Sequence, residues 1–440
     1  MLLEYTFENY KSFSDDACFK MTPTPKLRQL SYSVLQEKVK NKDYKALCSS
    51  VIYGPNAAGK TSVIGALEVL KGIILEGNIE DKERDTTNIA VNKLELVPNV
   101  NKLIRDGASP VTLGVSAIDD GMLFKYELTF SVEGFLKKDI TRKILSERLE
   151  VDEKLVFLRE KNKVNFVQDI SKAYLNTEKD IGIFKDVAWK VEDKELFLTG
   201  NFKAFYSNEI VKKIVEWFTN KLTIIYDAEQ AAFIPELKKG KKLMFVDNLS
   251  ELAKEFGSMA NDVVYVTPKE GARPELCSVL NMKNGNKRVI SSRVYESLGT
   301  RRIVELFPAL SNALIVGGTI LVDELDACIH PMAIASIVNA FHNDDINKKH
   351  AQLIFNTHNP IYLNSRIFRS DEIKFVDREG KTHFSTVYAL SDFGTAGTTR
   401  AKNTNNYMKN YFVNKYGAIR EVDFSKIFSK LVEEKEVRDE

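Results

Sequence analysis

The segment GPNAAGKTS constrains the fold of this chain most strongly, because it matches the phosphate-loop pattern G-x-x-x-x-G-K-[ST] at every position. An apolar run, Ser49–Tyr53, leads into it, and apolar residues at helical spacing follow over 60–75. A strand that enters such a loop and a helix that leaves it are the first unit of a parallel sheet. The sequence therefore predicts an α/β fold with an anion site at this loop.

The residue types of this loop are suited to binding the phosphates of a nucleotide. Gly54 and Gly59 let the backbone curl so that its N–H groups point at phosphate oxygens. Lys60 would place a positive charge on the β and γ phosphates as a catalytic residue, and the Thr61 hydroxyl would ligate Mg²⁺. A chance match is the alternative, but the flanking strand and helix disfavour it. The expected nucleotide-binding residues are Gly54, Pro55, Asn56, Ala57, Ala58, Gly59, Lys60, Thr61 and Ser62.

Two carboxylates, Asp323 and Glu324, directly follow the apolar run Ile320, Leu321 and Val322. Such a run is typical of a strand that is buried on both faces, and in a parallel sheet its carboxyl end lies beside the phosphate loop. We therefore expect Asp323 to hold Mg²⁺ and Glu324 to act as the catalytic residue that polarises water. An ordinary acidic pair at a strand end is the alternative, and the phosphate loop makes it less favoured.

Another short apolar strand, in QLIFNTHNP, ends in Asn356, Thr357 and His358. It follows the acidic pair by one predicted helix, which places His358 at the same sheet edge, within reach of a γ-phosphate. We expect His358 to be catalytic, although a lone histidine is more often structural. His330, just after the acidic strand, is a candidate for positioning that loop.

The segment SSRVYESLGTRR, residues 291–302, places serine and glycine at the head of an apolar helix over 303–310. The N-terminus of a helix with a small, polar entry can bind an anion. A plain capped helix explains the same residues, so this segment alone decides nothing.

The order of patterns along the chain predicts one split α/β core. Residues 111–167 alternate apolar and polar side chains between turn signals, which indicates antiparallel β structure. Residues 169–262 show helical spacing, and the chain returns to strand and helix alternation from 279. The expected divisions are a first lobe over 1–168, a mainly helical insertion over 169–278 and a second lobe over 279–440.

The composition excludes some functions. A formal charge of +2 argues against binding nucleic acid through bulk charge, so only a local patch could do so. The 4 cysteines form no CxxC pair, and no apolar run approaches the roughly 20 residues of a membrane span. We expect a cytoplasmic protein that does not contact a membrane.

Together these motifs resemble the ABC-type ATPases of the RecF, SMC and OLD (overcoming-lysogenization-defect) kind. The opening ENYKSF is similar to the family's N-terminal strand and turn, SLGT stands at the signature motif, and His358 at the switch histidine. The resemblance implies an ABC-type P-loop fold with an antiparallel β subdomain and a helical insertion, and it implies ATP and Mg²⁺ as ligands. It adds these nucleotide-contacting residues: Lys11, Ser297, Gly299, Thr300 and Asp326.

The family architecture also implies a dimer, in which the signature segment of one subunit covers ATP on the other. Higher rings are compatible with it, and we expect slow or regulated hydrolysis. The tail over 391–419 resembles ATPase subunits of two-gene anti-phage systems, with PARIS-type systems nearest and Septu-type next. No nuclease motif follows His358, so we expect a sensor or scaffold that controls a separate toxic effector, a nuclease, and that answers to a phage trigger protein.

A RecF-like, DNA-binding repair ATPase is the alternative. It predicts a basic surface on the dimer, although a solvated face is the more favoured interpretation of the lysine run. The absence of LSGGQ argues against a transporter ATPase. The candidate basic residues are Lys238, Lys239, Lys241, Lys242, Arg400, Lys402, Lys409 and Lys415.

Overall fold

The structure is a computed structural model that describes residues 1–80, 110–133, 141–167, 189–226, 243–245, 248–267, 274–394, 406–420, 423–425 and 427–430. In chain order its strands are β1 (Leu2–Glu8), β2 (Ala17–Lys20), β3 (Val34–Val39), β4 (Lys42–Leu47), β5 (Ser49–Tyr53), β6 (Val111–Asp119), β7 (Met122–Glu133), β8 (Thr141–Val151), β9 (Lys154–Glu160), β10 (Lys163–Val167), β11 (Trp189–Lys190), β12 (Leu222–Ile225), β13 (Leu243–Phe245), β14 (Asp262–Val266), β15 (Glu275–Asn281), β16 (Lys287–Ser291), β17 (Thr319–Val322), β18 (Gln352–Asn356), β19 (Ile373–Arg378) and β20 (Ser385–Ala389). Its α-helices are α1 (Lys60–Glu76), α2 (Lys203–Phe205), α3 (Asn208–Glu216), α4 (Leu249–Glu255), α5 (Ser292–Tyr295), α6 (Leu298–Val316), α7 (Pro331–His342) and α8 (Tyr407–Phe412). Short 3₁₀ or π turns cover Ser31–Ser33, Leu198–Phe202, Trp217–Lys221, Pro360–Tyr362 and Leu390–Gly394.

The central sheet has the strand order β12-β17-β18-β5-β19-β20, and all its strands except β20 run parallel. Every residue of β5, β17 and β18 is buried, as expected for strands covered on both faces. Because β5, β18 and β17 are neighbours and run parallel, their carboxyl ends meet at one edge. The predicted α/β class is therefore confirmed, and this edge is where the sequence motifs converge.

Two apolar layers cover the faces of the central sheet. Alternate residues of a strand point to opposite faces, so Ile52 joins the layer that contains α1, whereas Val51 joins the layer that contains α6 and α7. The first layer continues into a second sheet through Phe7 and Tyr126. Helix α1 is thus buried between the two sheets, which fixes the direction of the loop that precedes it.

The second sheet is antiparallel and has the order β11-β10-β9-β8-β7-β6-β1-β2. The strands predicted over 111–167 are β6 to β10, so the antiparallel subdomain is confirmed. At its centre, Arg159 donates to Glu147 at 3.4 Å, and both side chains are fully buried. Glu147 also accepts the N–H groups of Phe197 at 2.7 Å and Leu198 at 2.8 Å, which fastens the following helical turns to the sheet.

The segment expected to be a mainly helical insertion, 169–278, differs from that expectation within its described residues. Its helices include α3 and α4, but β12 pairs in parallel with β17 and is part of the central sheet. Strands β13 to β16 form a further antiparallel sheet. A short apolar run such as LTII has no periodicity that separates strand from helix, so only its pairing reveals its type.

The remaining pair, β3 and β4, forms a hairpin. Within the described ranges, no helix is long and apolar enough to cross a membrane.

Candidate nucleotide site

The phosphate loop turns sharply between β5 and α1, and its glycines are required by the space around them. Gly59 has φ 111° and begins α1 in the left-handed region, where a side chain would be strained. A Cβ on Gly54 would lie 2.3 Å from the carbonyl oxygen of Val376. Ala57 also has a positive φ, 62°. The backbone therefore curls at Ala57 and Gly59, and the close approach of Val376 leaves no room for a side chain at Gly54.

Lys60 is buried at the start of α1, and its Nζ donates to the carbonyl oxygens of Gly54 at 2.9 Å and Pro55 at 3.2 Å. Burial lowers the pKa of Lys60 to about 8, against the opposing influence of Asp323 and Glu324. The ammonium group is thus held inside the loop, where phosphate oxygens could replace the two carbonyls.

Thr61 and Asp323 meet although they are far apart in the sequence, and they form the donor set expected for Mg²⁺. The Thr61 hydroxyl donates to Asp323 with both oxygen separations at 3.2 Å. Mg²⁺ prefers oxygen ligands, and in such sites it takes one or two protein donors together with substrate phosphates. Burial raises the pKa of Asp323, while hydrogen bonds from Asn356 and Thr61 oppose that shift. The residues present therefore fit the ion.

Glu324 lies at the mouth of the same edge in an uncommon backbone conformation. Its φ is 50°, which is left-handed and costs energy for a residue with a Cβ. Its N–H donates to the side-chain oxygen of Asn356, and its carbonyl accepts from Nη2 of Arg302 at 2.7 Å. The side chain of Glu324 is exposed, so a substrate could reach it.

Asp326, after β17, and His358, after β18, lie within electrostatic influence of each other. The Thr357 hydroxyl donates to Asp326 at 2.7 Å. Burial raises the pKa of Asp326, and burial together with the charge of Lys60 lowers the pKa of His358. The imidazole is therefore biased to its neutral form, in which one ring nitrogen donates and the other accepts.

The signature segment begins α6. The exposed Ser297 caps this helix by accepting the N–H of Thr300 at 3.1 Å, which is the plain role that the sequence left open. A Cβ on Gly299 would lie 2.4 Å from the carbonyl oxygen of Cys328. The segment thus packs against the loop after β17 of the same chain, residues 323–328, which we call the acidic loop. The side chain of Ser297 faces solvent.

The ENYKSF turn lies against the phosphate loop. Phe13 N–H donates to the Tyr10 carbonyl at 2.9 Å, which closes the turn around Lys11. Ser385 links the two segments, because its hydroxyl bonds to Ser12 at 2.7 Å and to the carbonyl of Ala58 at 2.6 Å. His330 lies farther along and caps α7 by accepting the N–H of Met332 at 3.3 Å.

Three residues at this edge received no role from the sequence. Asn356 bonds to both Asp323 and Glu324, Arg302 bonds to the Glu324 carbonyl, and Arg378 donates to the Ala57 carbonyl at 3.2 Å. The sequence could have indicated Asn356, because it is the polar residue that ends the apolar strand β18. Arg302 and Arg378 belong to no motif that would have distinguished them from the other arginines of the chain.

This fold and this site define a P-loop domain, in which the phosphate loop and the acidic end of a neighbouring parallel strand meet at one sheet edge. The chain belongs to the family described as "AAA domain, putative AbiEii toxin, Type IV TA system", whose model matches residues 49–364, more than half of the chain. It is also 34% identical over 100 residues to the "Retron Vc95 probable ATPase" of Vibrio cholerae serotype O1 biovar El Tor. That match covers 23% of this chain and only 18% of the relative.

Two solved structures are also similar. The SMC head domain from Thermotoga maritima has 11% identity and a TM-score of 0.36, with 88% of this chain and 98% of that chain covered. The Smc head domain of Pyrococcus furiosus, solved with an extended coiled coil and bound to the C-terminal domain of ScpA, has 12% identity and a TM-score of 0.38. There the coverage is 88% of this chain and 96% of that chain.

Proposed function

We propose that this chain binds and hydrolyses ATP at the edge formed by β5, β17 and β18. The observation that carries the proposal is the contact of Thr61 with Asp323 beside the buried ammonium of Lys60. Two motifs that lie far apart in the sequence thereby supply a cation-binding oxygen pair and a phosphate-binding charge in one place. The family description, an AAA domain, supports the same activity.

Each residue has a task that its geometry permits. Lys60 would exchange its carbonyl partners for the β and γ phosphates, and Thr61 with Asp323 would hold Mg²⁺, which neutralises phosphate charge. Glu324 would orient and polarise the attacking water. Neutral His358 could donate to a γ-phosphate oxygen and thereby favour charge that develops there.

A second copy of the chain would complete the site, because the signature segment presents its serine outward. Three large apolar side chains beside this segment are exposed: Met259 is 86% exposed, Val294 80% and Leu298 53%. Monomeric proteins rarely leave such groups together in water, so a covered face is favoured here. ATP that binds one copy would be gripped by Ser297 and Gly299 of the other, and a higher ring would need a further contact surface.

We further propose that the ATP-driven assembly serves anti-phage defence by controlling a separate toxic effector, a nuclease, after a phage trigger protein appears. The family description names a toxin–antitoxin system, and the relative's name places that protein in a retron. The tail resemblance makes a PARIS-type system the first to test, and a Septu-type system the next.

Replacing Glu324 by glutamine tests the catalytic assignment. Glu324→Gln keeps the size of the side chain and removes its charge, so it should bind ATP and hydrolyse it at least about 100-fold more slowly, as loss of a general base commonly does. The doubled mass expected with ATP should persist, because the closed state is no longer released. Glu379→Gln, at an exposed carboxylate outside the site, is the matched control. Hydrolysis by Glu324→Gln at the parental rate would show that the assignment is wrong.

A further inference from the structure

We propose that Arg302 is a positioning residue that couples the signature helix to the catalytic carboxylate of the same chain. This inference rests on the proposed ATPase activity. It assigns to α6 a second task besides contacting the nucleotide of a partner, which is to hold Glu324 in a conformation suited to hydrolysis.

The peptide groups on both sides of Glu324 are held by side chains from different elements. Nη2 of Arg302 donates to the Glu324 carbonyl at 2.7 Å, and the side-chain oxygen of Asn356 accepts the Glu324 N–H. Because φ of Glu324 is 50°, the residue would relax to an ordinary conformation if nothing held it. Asn356 comes from the sheet, whereas Arg302 comes from the signature helix, so these two side chains tie Glu324 to both elements.

Helix α6 contacts the acidic loop at two places. Arg302 holds its beginning at Glu324, and Gly299 touches its end, where a Cβ would lie 2.4 Å from the Cys328 carbonyl oxygen. Cys328 also has a positive φ, 63°. A movement of the helix start, such as closure on a partner's nucleotide would cause, is therefore transmitted to the loop that carries Glu324.

The guanidinium of Arg302 is not arranged for stability alone. Its Nε is buried and has no hydrogen-bond partner in the described part of the chain. A buried donor without a partner is unfavourable, and such groups in native structures call for a reason beyond packing. Its Nη2 does have a partner, the Glu324 carbonyl, and this contact is consistent with a positioning task.

The test compares Arg302→Ala with Arg302→Lys in the full chain. We expect Arg302→Ala to lower kcat for ATP about 10- to 100-fold while KM and the affinity for a fluorescent ATP analogue change less than about twofold, because only the catalytic group moves. Arg302→Lys keeps one donor and should recover part of kcat. Arg288→Ala, at an exposed arginine on β16, should behave as the parent. Equal kcat for Arg302→Ala and the parent would overturn the proposal.

A double-mutant cycle separates positioning from general destabilisation. If Arg302 acts through Glu324, adding Arg302→Ala to Glu324→Gln should not lower single-turnover hydrolysis further. A further loss of the same factor in that background would overturn the proposal and indicate a structural effect. The ATPase proposal fails differently: the parental chain would then hydrolyse no ATP, or Glu324→Gln would hydrolyse it at the parental rate.

Discussion

Lys60 is held inside the phosphate loop by two main-chain carbonyls, so its charge state controls how strongly the loop attracts an anion. Its pKa is lowered to about 8 by burial, which means that the ammonium form dominates below pH 8 and the neutral amine above it. Phosphate binds the charged form. The affinity for ATP should therefore be constant near pH 7 and fall above pH 8, by up to about tenfold per unit of pH.

The measurement is the dissociation constant of a fluorescent ATP analogue between pH 6.5 and 9.5. Arginine stays charged across this range, so Lys60→Arg should lose the pH dependence even if its affinity is lower. Lys60→Ala should abolish binding, since hydrogen bonds to charged groups contribute about 1.5–3 kcal/mol each and Lys60 can make several. An equal fall above pH 8 in the Lys60→Arg variant would contradict the assignment to Lys60.

Individual residues of the site were predictable where a motif carries them, and they were missed where only a contact does. The pattern GxxxxGKT and the acidic end of a strand predicted the pair of Thr61 and Asp323. The same pattern cannot show that Asn356 bonds to both Asp323 and Glu324, because β18 and β17 become neighbours only in the folded sheet. The catalytic roles of the site residues are predictions that the variants test.

The start of α6 is the element whose fit to the acidic loop is most sensitive to size. A Cβ on Gly299 would meet the backbone oxygen of Cys328, which cannot rotate away as a flexible side chain could. Gly299→Ala should therefore push the helix from the loop, lower ATP turnover at least about tenfold, and cost about 1–3 kcal/mol of unfolding free energy. ATP binding should persist, because the phosphate loop is on another element.

Gly380→Ala is the control for Gly299→Ala, since no atom lies within 4 Å of a Cβ at that turn. Steady-state hydrolysis and urea unfolding of both variants give the comparison. Parental turnover in Gly299→Ala would show that the contact between the helix and the loop is dispensable.

The ion pair of Glu147 and Arg159 joins the antiparallel sheet to the turns that follow it. Arg159 also donates to the carbonyls of Glu192, at 2.7 Å, and Glu195. Glu147→Ala would leave this guanidinium buried with one charge unpaired, which costs about 3–5 kcal/mol. We expect a matching loss of unfolding free energy in urea. Lys212→Ala, which breaks an exposed pair with Glu216, should change it by less than about 1 kcal/mol. Equal stability of the Glu147→Ala variant and the parent would contradict the stabilising role of the Glu147 and Arg159 pair.

The division of the chain into elements was predictable where periodicity is long and regular. Helix α1 and strands β6 to β10 have such patterns and appear where expected. The segment Leu222–Ile225 has only four residues, and its parallel pairing with β17 adds an edge strand to the central sheet from within a supposed insertion. Tertiary pairing decides such short runs, so their type could not be inferred from local sequence.

Because the net charge of the chain is only +2, anion binding depends on local groups. The structure gathers such groups at one sheet edge, where the ammonium of Lys60 lies within the electrostatic influence of the carboxylates of Asp323 and Glu324. Of the residues that a DNA-binding role would use, Lys409 and Lys415 are exposed on or beside α8. The others, Lys238, Lys239, Lys241, Lys242, Arg400 and Lys402, lie outside the described residues.

The two proposed roles differ in what the whole protein should hold when ATP is bound. A scaffold that controls an effector predicts that the chain, purified from its native operon with ATP, has at least twice the monomer mass and carries a second polypeptide. A DNA-binding repair ATPase predicts instead a nucleic-acid complex whose affinity falls steeply between 50 and 200 mM salt, about 10³-fold or more for six phosphate contacts. Mass photometry, protein identification and a salt titration on the same preparation distinguish them. The Lys60→Ala variant is the control, since it should remain a monomer with or without ATP. A lone monomer in the parental preparation under both conditions would contradict the scaffold.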